Sequence, residues 1–149
     1  MEQFVIALGW LGAFAPVALG AIGSAIGCSV AGQAACGAML DVESGYGKYI
    51  GLSAMPSSQV IYGIVIMFTL AGIGVDAETA GGLFGVGLMT GLALLFSAIY
   101  QGQAVSAAIN ASKNKPEVFG LSIAPAAIVE GFSVFAFVFA LVMGANIGA

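Results

Sequence analysis

Polar residues cut this sequence into four long apolar stretches, about 4 to 38, 49 to 74, 80 to 111 and 118 to 147. The breaks are Asp41-Val42-Glu43-Ser44-Gly45-Tyr46-Gly47-Lys48, then Gly74-Val75-Asp76-Ala77-Glu78-Thr79, then Asn110-Ala111-Ser112-Lys113-Asn114-Lys115-Pro116-Glu117. Each stretch has the roughly 20 residues that a helix needs to cross a bilayer core. The pattern predicts an all-α membrane protein with four transmembrane helices, a single membrane domain over 1–149 made of two hairpins, 4–74 and 80–147. The first stretch has no positive residue before it, Glu2 being the one early charge, and it runs well past the apolar core of a signal peptide, so it is expected to be retained.

The hairpins read as two copies of one unit. Ser24-Ala25-Ile26 with Ala34-Ala35 recurs as Ser97-Ala98-Ile99 with Ala107-Ala108, and Gly51-Leu52-Ser53 with Pro56 recurs as Gly120-Leu121-Ser122 with Pro125. The order of helices is preserved, so the duplication is parallel, unlike the inverted repeats of many transporters. The helices alternate in bulk. The first and third hold small-residue pairs at Gly23/Gly27, Gly81/Gly85 and Gly87/Gly91, a spacing that lets backbones approach closely. The second and fourth hold Tyr62, Met67 and Phe68, and Phe132, Phe135, Phe137 and Phe139. Thin helices inside and thick ones outside suit a curved assembly.

Composition narrows the function. With 60% hydrophobic and 7% charged residues, the chain belongs in a membrane. Three lysines and no arginine give no basic patch for nucleic acid. Lys48, Lys113 and Lys115 lie in the first and third loops. The positive-inside rule therefore puts both hairpin tips in the cytoplasm of a multi-pass cell-membrane protein, with both termini and the Asp76/Glu78 loop on the outer side. Cys28 and Cys36, eight residues apart on one predicted helix, are about 12 Å apart along its axis, too far for a disulfide. With no histidine, soft-metal sites are disfavoured, and any bound ion should be a hard cation held by oxygens.

The chemistry centres on Glu130, a lone carboxylate inside the last apolar stretch. A charge at membrane depth costs about 2.5 to 3.5 kcal/mol, so such residues sit on ion or proton pathways and need partners. The polar groups at comparable depth are Ser58, Gln59 and Tyr62 on the second helix and Gln101 on the third. Pro56 loosens the helix just before them and leaves carbonyl oxygens available. Taken singly, Gln59 and Gln101 read as interhelical glue, Tyr62 as packing, and Ser57 and Ser58 as back-bonded to the preceding turn. Taken with Glu130 they offer one carboxylate, two amide oxygens, hydroxyls and a backbone carbonyl, which suits a hard monovalent cation.

These segments resemble the proteolipid ring subunit of V-type and A-type rotary ATPases, called subunit K. The likeness runs through Met55-Pro56-Ser57-Ser58-Gln59 with Tyr62-Gly63, Ser97-Ala98-Ile99-Tyr100-Gln101-Gly102, Lys115-Pro116-Glu117 and Ala126-Ala127-Ile128-Val129-Glu130. It implies a ring of identical subunits turning against a stator membrane subunit and coupled to a central-stalk subunit, with lipids around it. Sodium-binding members are the more similar. In them Na+ is held by residues matching Glu130, Gln59, Gln101, the Ser58 hydroxyl and the Met55 carbonyl, with a tyrosine at the place of Tyr62 locking the site by a hydrogen bond to the glutamate. Ser58 departs from the threonine expected there. Ile61 stands where the first hairpin would hold its own carboxylate, so one ion per chain is implied, a ratio that favours a pump over a synthase. The alternatives are a proton-coupled (H+) ring subunit, a small glutamate-dependent cation antiporter, or a structural proteolipid that tolerates loss of the Glu130 charge. The chain has no phosphate-binding loop, so it is expected to be a non-catalytic subunit of an ATP-driven complex.

Overall fold

The computed structural model describes residues 1–147, so the last two positions of the 1–149 domain lie outside it. Among the described residues, four helical spans are long and apolar enough to cross a membrane: Glu2–Asp41, Tyr46–Gly72, Ala80–Asn114 and Pro116–Gly144. Helix is the form that satisfies every backbone donor and acceptor within its own segment where no water is present. The expected limits shift by a few residues, because turns of helix continue past the apolar stretches into the loops. The fourth helix stops earlier than expected, at Gly144.

The first and third spans are continuous: α1 covers Glu2–Asp41 and α4 covers Ala80–Asn114. The other two are broken at matching prolines. In the second, α2 (Tyr46–Ser53) gives way to a 3-10 turn at Met55–Ser57 and then α3 (Ser58–Gly72). In the fourth, a 3-10 turn at Pro116–Val118 leads into α5 (Phe119–Ser122), and α6 starts at Ala124 with Pro125 in its first turn and runs to Gly144. Proline has no N–H to give and crowds the preceding turn, so both breaks follow from Pro56 and Pro125.

The two glycine-rich helices form the centre. α1 packs most extensively on α4, then on α3, while α6 rests on α4 and α3. Glycine sets the distances. A Cβ on Gly87 would run into the Gly12 carbonyl, and one on Gly102 into Gly27. Pro16 denies the Gly12 carbonyl its helical donor, which leaves that oxygen facing the bare backbone of Gly87. Gly23 and Gly91 are likewise pressed against backbone, but Gly81 and Gly85 face open space. The expected close approach therefore fails at that pair, because it points away from α1 and lines a groove of about 600 Å³ between α4 and α6.

Both lysine-bearing tips lie at one end. Asp41, the last residue of α1, is 2.6 Å from the ammonium of Lys113 in the last turn of α4. A carboxylate is unfavourable beside the carbonyl-rich end of a helix, and the lysine offsets it. Lys48 lies over the Phe119 ring, 5.3 Å from its centre. At the opposite end a Cβ on Gly9 would touch Val75 and Ala80, and one on Gly82 would touch Ile147. Gly45 (φ 77°) and Gly74 (φ 93°) make the left-handed turns of the first two loops.

Candidate functional site

The proline break in the second span positions the site. Because the helix restarts at Ser58, the carbonyl of Met55 accepts from the backbone N–H of Ser58 and from its hydroxyl, the latter at 3.2 Å. Two glycines of α1 press this segment inward. An added Cβ on Gly27 would lie 2.8 Å from Pro56, and one on Gly20 would lie 2.9 Å from the Gln59 carbonyl.

Gln59 and Gln101 are both fully buried, with 0% exposure. The amide nitrogen of Gln59 donates to Oε1 of Gln101 at 2.9 Å, and the amide nitrogen of Gln101 donates to Oε2 of Glu130 at 3.0 Å and to the Ala126 carbonyl at 3.4 Å. Tyr62 donates its hydroxyl to Oε1 of Glu130 at 3.2 Å, and its ring lies against Phe137 with centres 5.3 Å apart. Ser58 stands 3.2 Å from Oε1 of Gln59. All six residues singled out in the sequence, Met55, Ser58, Gln59, Tyr62, Gln101 and Glu130, thus converge on one cluster spanning the Met55–Ser57 turn, α3, α4 and α6. The glutamines do bridge helices, and through Gln101 the bridge terminates on the carboxylate.

The polarity of this chain of hydrogen bonds follows from its ends. The Ala126 carbonyl accepts only, as does a carboxylate when ionised, so Gln101 turns its NH2 toward Ala126 and Glu130 and its oxygen toward Gln59. Gln59 must then turn its NH2 toward Gln101 and its oxygen toward Ser58. The result is a corner rich in acceptors. Met55 O, Ser58 Oγ and Gln59 Oε1 surround one hydroxyl proton, which can serve one of the two neighbouring oxygens at a time.

Two further residues belong to the cluster. Ser97 and Ser133 lie 3.5 and 3.4 Å from the Gln59 amide nitrogen. In the sequence Ser97 stood out as part of the repeat and of the family motif but not as a site residue, and Ser133 was missed, its one signal being its place one turn beyond Glu130. Ser97 has a counterpart in the other hairpin, where Ser24 accepts from the Val60 N–H at 3.3 Å while Ser97 donates to the Val129 carbonyl at 3.1 Å. The duplication is therefore present in the packing as well as in the order of residues. Glu130 itself is half-buried, and its neighbours Ile128 and Phe132 point outward, at 64% and 66% exposure. Beside the cluster runs a second groove of about 380 Å³, lined by Ala93, Phe96, Ser97, Tyr100, Val129 and Phe132.

Comparison with known proteins agrees with this architecture. The family model that describes the C subunit of ATP synthase matches twice, over residues 11–70 and 84–143, one match per hairpin. The chain is 35% identical over 125 residues to the A-type ATP synthase subunit K of Methanocaldococcus jannaschii, covering 80% of this chain and 56% of that protein. It is 33% identical over 128 residues to the V-type sodium ATPase subunit K of Enterococcus hirae, covering 84% of this chain and 82% of that protein. The chain thus spans little more than half the length of the first relative and most of the second.

Proposed function

The chain belongs to the family of the ATP synthase C subunit, and from that premise we propose that it is a sodium-carrying rotor-ring subunit of an A/V-type ATPase. It is a non-catalytic subunit. In this reading each chain takes one Na+ at Glu130, and the ring of identical copies carries it past a stator membrane subunit while ATP hydrolysis elsewhere turns the central stalk.

The observation that carries the ion assignment is the corner at Ser58, where Met55 O and Gln59 Oε1 each lie 3.2 Å from a hydroxyl with one proton to share. A cation there satisfies all three oxygens at once. Glu130 contributes the single negative charge of the cluster, and Gln101 has a second lone pair on its amide oxygen. One charge and several neutral oxygens match a hard monovalent ion better than a divalent one. The name of the Enterococcus relative specifies sodium, which supports the same choice.

The bound ion neutralises Glu130, so each copy passes through lipid without an exposed charge. Tyr62 holds the carboxylate toward the ion and keeps the site closed during that passage. At the stator a fixed positive charge displaces the ion into an aqueous path. Moving one charge through 100 mV takes about 2.3 kcal/mol, so binding must be weak enough to permit release. The lysine-bearing tips face the cytoplasm and meet the stalk, and both termini lie on the outer side.

A proton on Glu130 is the second reading, since a neutral carboxyl group fits among the same partners. Labelling with a carbodiimide, which modifies protonated membrane carboxyl groups, separates the two. Sodium should protect Glu130 at fixed pH, with protons competing. Labelling that follows pH and ignores sodium would make this a proton rotor.

A further inference from the structure

Three acceptors compete for the two hydrogens of the Gln59 amide: Oε1 of Gln101 at 2.9 Å, Ser133 Oγ at 3.4 Å and Ser97 Oγ at 3.5 Å. The serines accept because their own protons are committed elsewhere. Ser133 donates to the Glu130 carbonyl at 2.7 Å, and Ser97 donates to the Val129 carbonyl at 3.1 Å. A hydroxyl has one hydrogen, so each serine offers Gln59 only lone pairs. Ser133 is fully buried and Ser97 nearly so, with no bulk water to replace either of them.

We infer that Ser97 and Ser133 are positioning residues that hold the Gln59 amide in one orientation and so set the direction of a hydrogen-bond relay from Gln59 through Gln101 to Glu130. Turning the Gln59 amide over would place its oxygen against Oε1 of Gln101, two acceptors face to face, and would point its NH2 at the Ser58 hydroxyl. The corner that gathers oxygens would then present hydrogens to an incoming cation. The carboxylate and, at longer range, the Ala126 carbonyl fix Gln101 at one end, but the carboxylate's share of that constraint weakens whenever Glu130 is neutralised. The serines do not change charge, so they hold the amide through every stage of loading and release. Val129 and Glu130 supply the carbonyls that fix the serine hydroxyls, so the backbone of α6 orients a side chain on α3.

The consequence for ion affinity rests on the sodium reading proposed above, whereas the orientation of the relay does not. Membranes holding the assembled complex, treated with a carbodiimide and assayed for modified Glu130 by mass spectrometry, test both. Ser97→Ala and Ser133→Ala should each raise the sodium concentration for half-protection about tenfold, the upper end of what one net hydrogen bond contributes. Each should also speed labelling in the absence of sodium, since Gln101 then holds the carboxylate less firmly. Ser97→Thr keeps the hydroxyl, and its extra methyl has the adjoining groove to occupy, so it should behave as the unchanged chain in both respects. Alanine variants that label and protect like the unchanged chain would overturn the inference, as would a Ser97→Thr variant as impaired as Ser97→Ala. If sodium fails to protect the unchanged chain, the sodium reading falls, and the sodium-free rate alone decides the relay. A rate raised in both alanine variants and restored in Ser97→Thr upholds it, and an unaltered rate refutes it.

Discussion

Gln101 presents its amide nitrogen to Glu130 at 3.0 Å, and the two residues come from different helices of the second hairpin. The opposite oxygen of the same carboxylate is held by Tyr62 from the first hairpin, at 3.2 Å. A site made this way ties the two halves of the duplication together, and it gives the lone membrane carboxylate two donors without adding a second charge.

Glu130→Gln keeps the shape and hydrogen-bonding size of the side chain but removes its charge. The expected outcome is loss of ATP-driven sodium uptake into membrane vesicles, with the amount of assembled complex unchanged. Uptake that persisted in this variant would exclude Glu130 as the carrier.

At Ser58 the two neighbouring substitutions should act in opposite directions. Ser58→Ala removes one oxygen of the corner, and sodium affinity read by protection from carbodiimide should fall about tenfold or more. Ser58→Thr keeps the oxygen and restricts its rotamer, so affinity should stay the same or rise. Equal losses in both variants would mean that the hydroxyl does not face the ion.

Gly87→Ala tests the central packing. Its Cβ would overlap the Gly12 carbonyl, a backbone atom that cannot turn aside, so α1 and α4 must separate. Overpacking of this kind costs about 1 to 3 kcal/mol. The measurement is thermal stability in detergent, with Gly85→Ala as the comparison, because Gly85 faces open space within the chain.

Asp76 organises the loop before α4. Its carboxylate accepts from the backbone N–H groups of Glu78 and Thr79, each at 2.9 Å, and shares the Thr79 hydroxyl proton, at 3.1 Å, with the Gly74 carbonyl at 2.8 Å. The Thr79 and Glu78 donors hold its pKa below the ordinary aspartate value. A lowered native pKa means that the stabilisation is present above the unfolded-state pKa and is lost as pH falls through the native one. Amide exchange at Glu78 and Thr79, corrected for its intrinsic pH dependence, should therefore be protected near neutrality and lose that protection in acid. Asp76→Asn should lose much of the protection at all pH values, since it gives up the charge that strengthens these bonds.

Four spans, two parallel repeats and one carboxylate at membrane depth were legible in the sequence, because each rests on a local property. Apolar length decides what crosses a bilayer, and a charge within such a stretch is conspicuous however the helices pack. The loosening at Pro56 was legible for the same reason, since the missing N–H belongs to the residue itself, whereas Pro125 was read only as a repeat match and Pro16 stands within the continuous α1. Glu130 and the five residues around it were gathered by type, depth and resemblance, although nothing in their spacing says that Gln59, Gln101 and Glu130 lie on facing sides of three different helices. Packing decided that. The faces of α1 and α4 differ by which glycines meet backbone, so Gly87 closes against α1 while Gly81 and Gly85, equally small and equally spaced, look outward over a groove. The direction of the hydrogen bonds was also beyond the sequence. A glutamine amide is symmetric in shape, and which end faces an ion is fixed by its neighbours, here an acceptor-only carboxylate at one end and, by our inference, two serines with committed protons at the other.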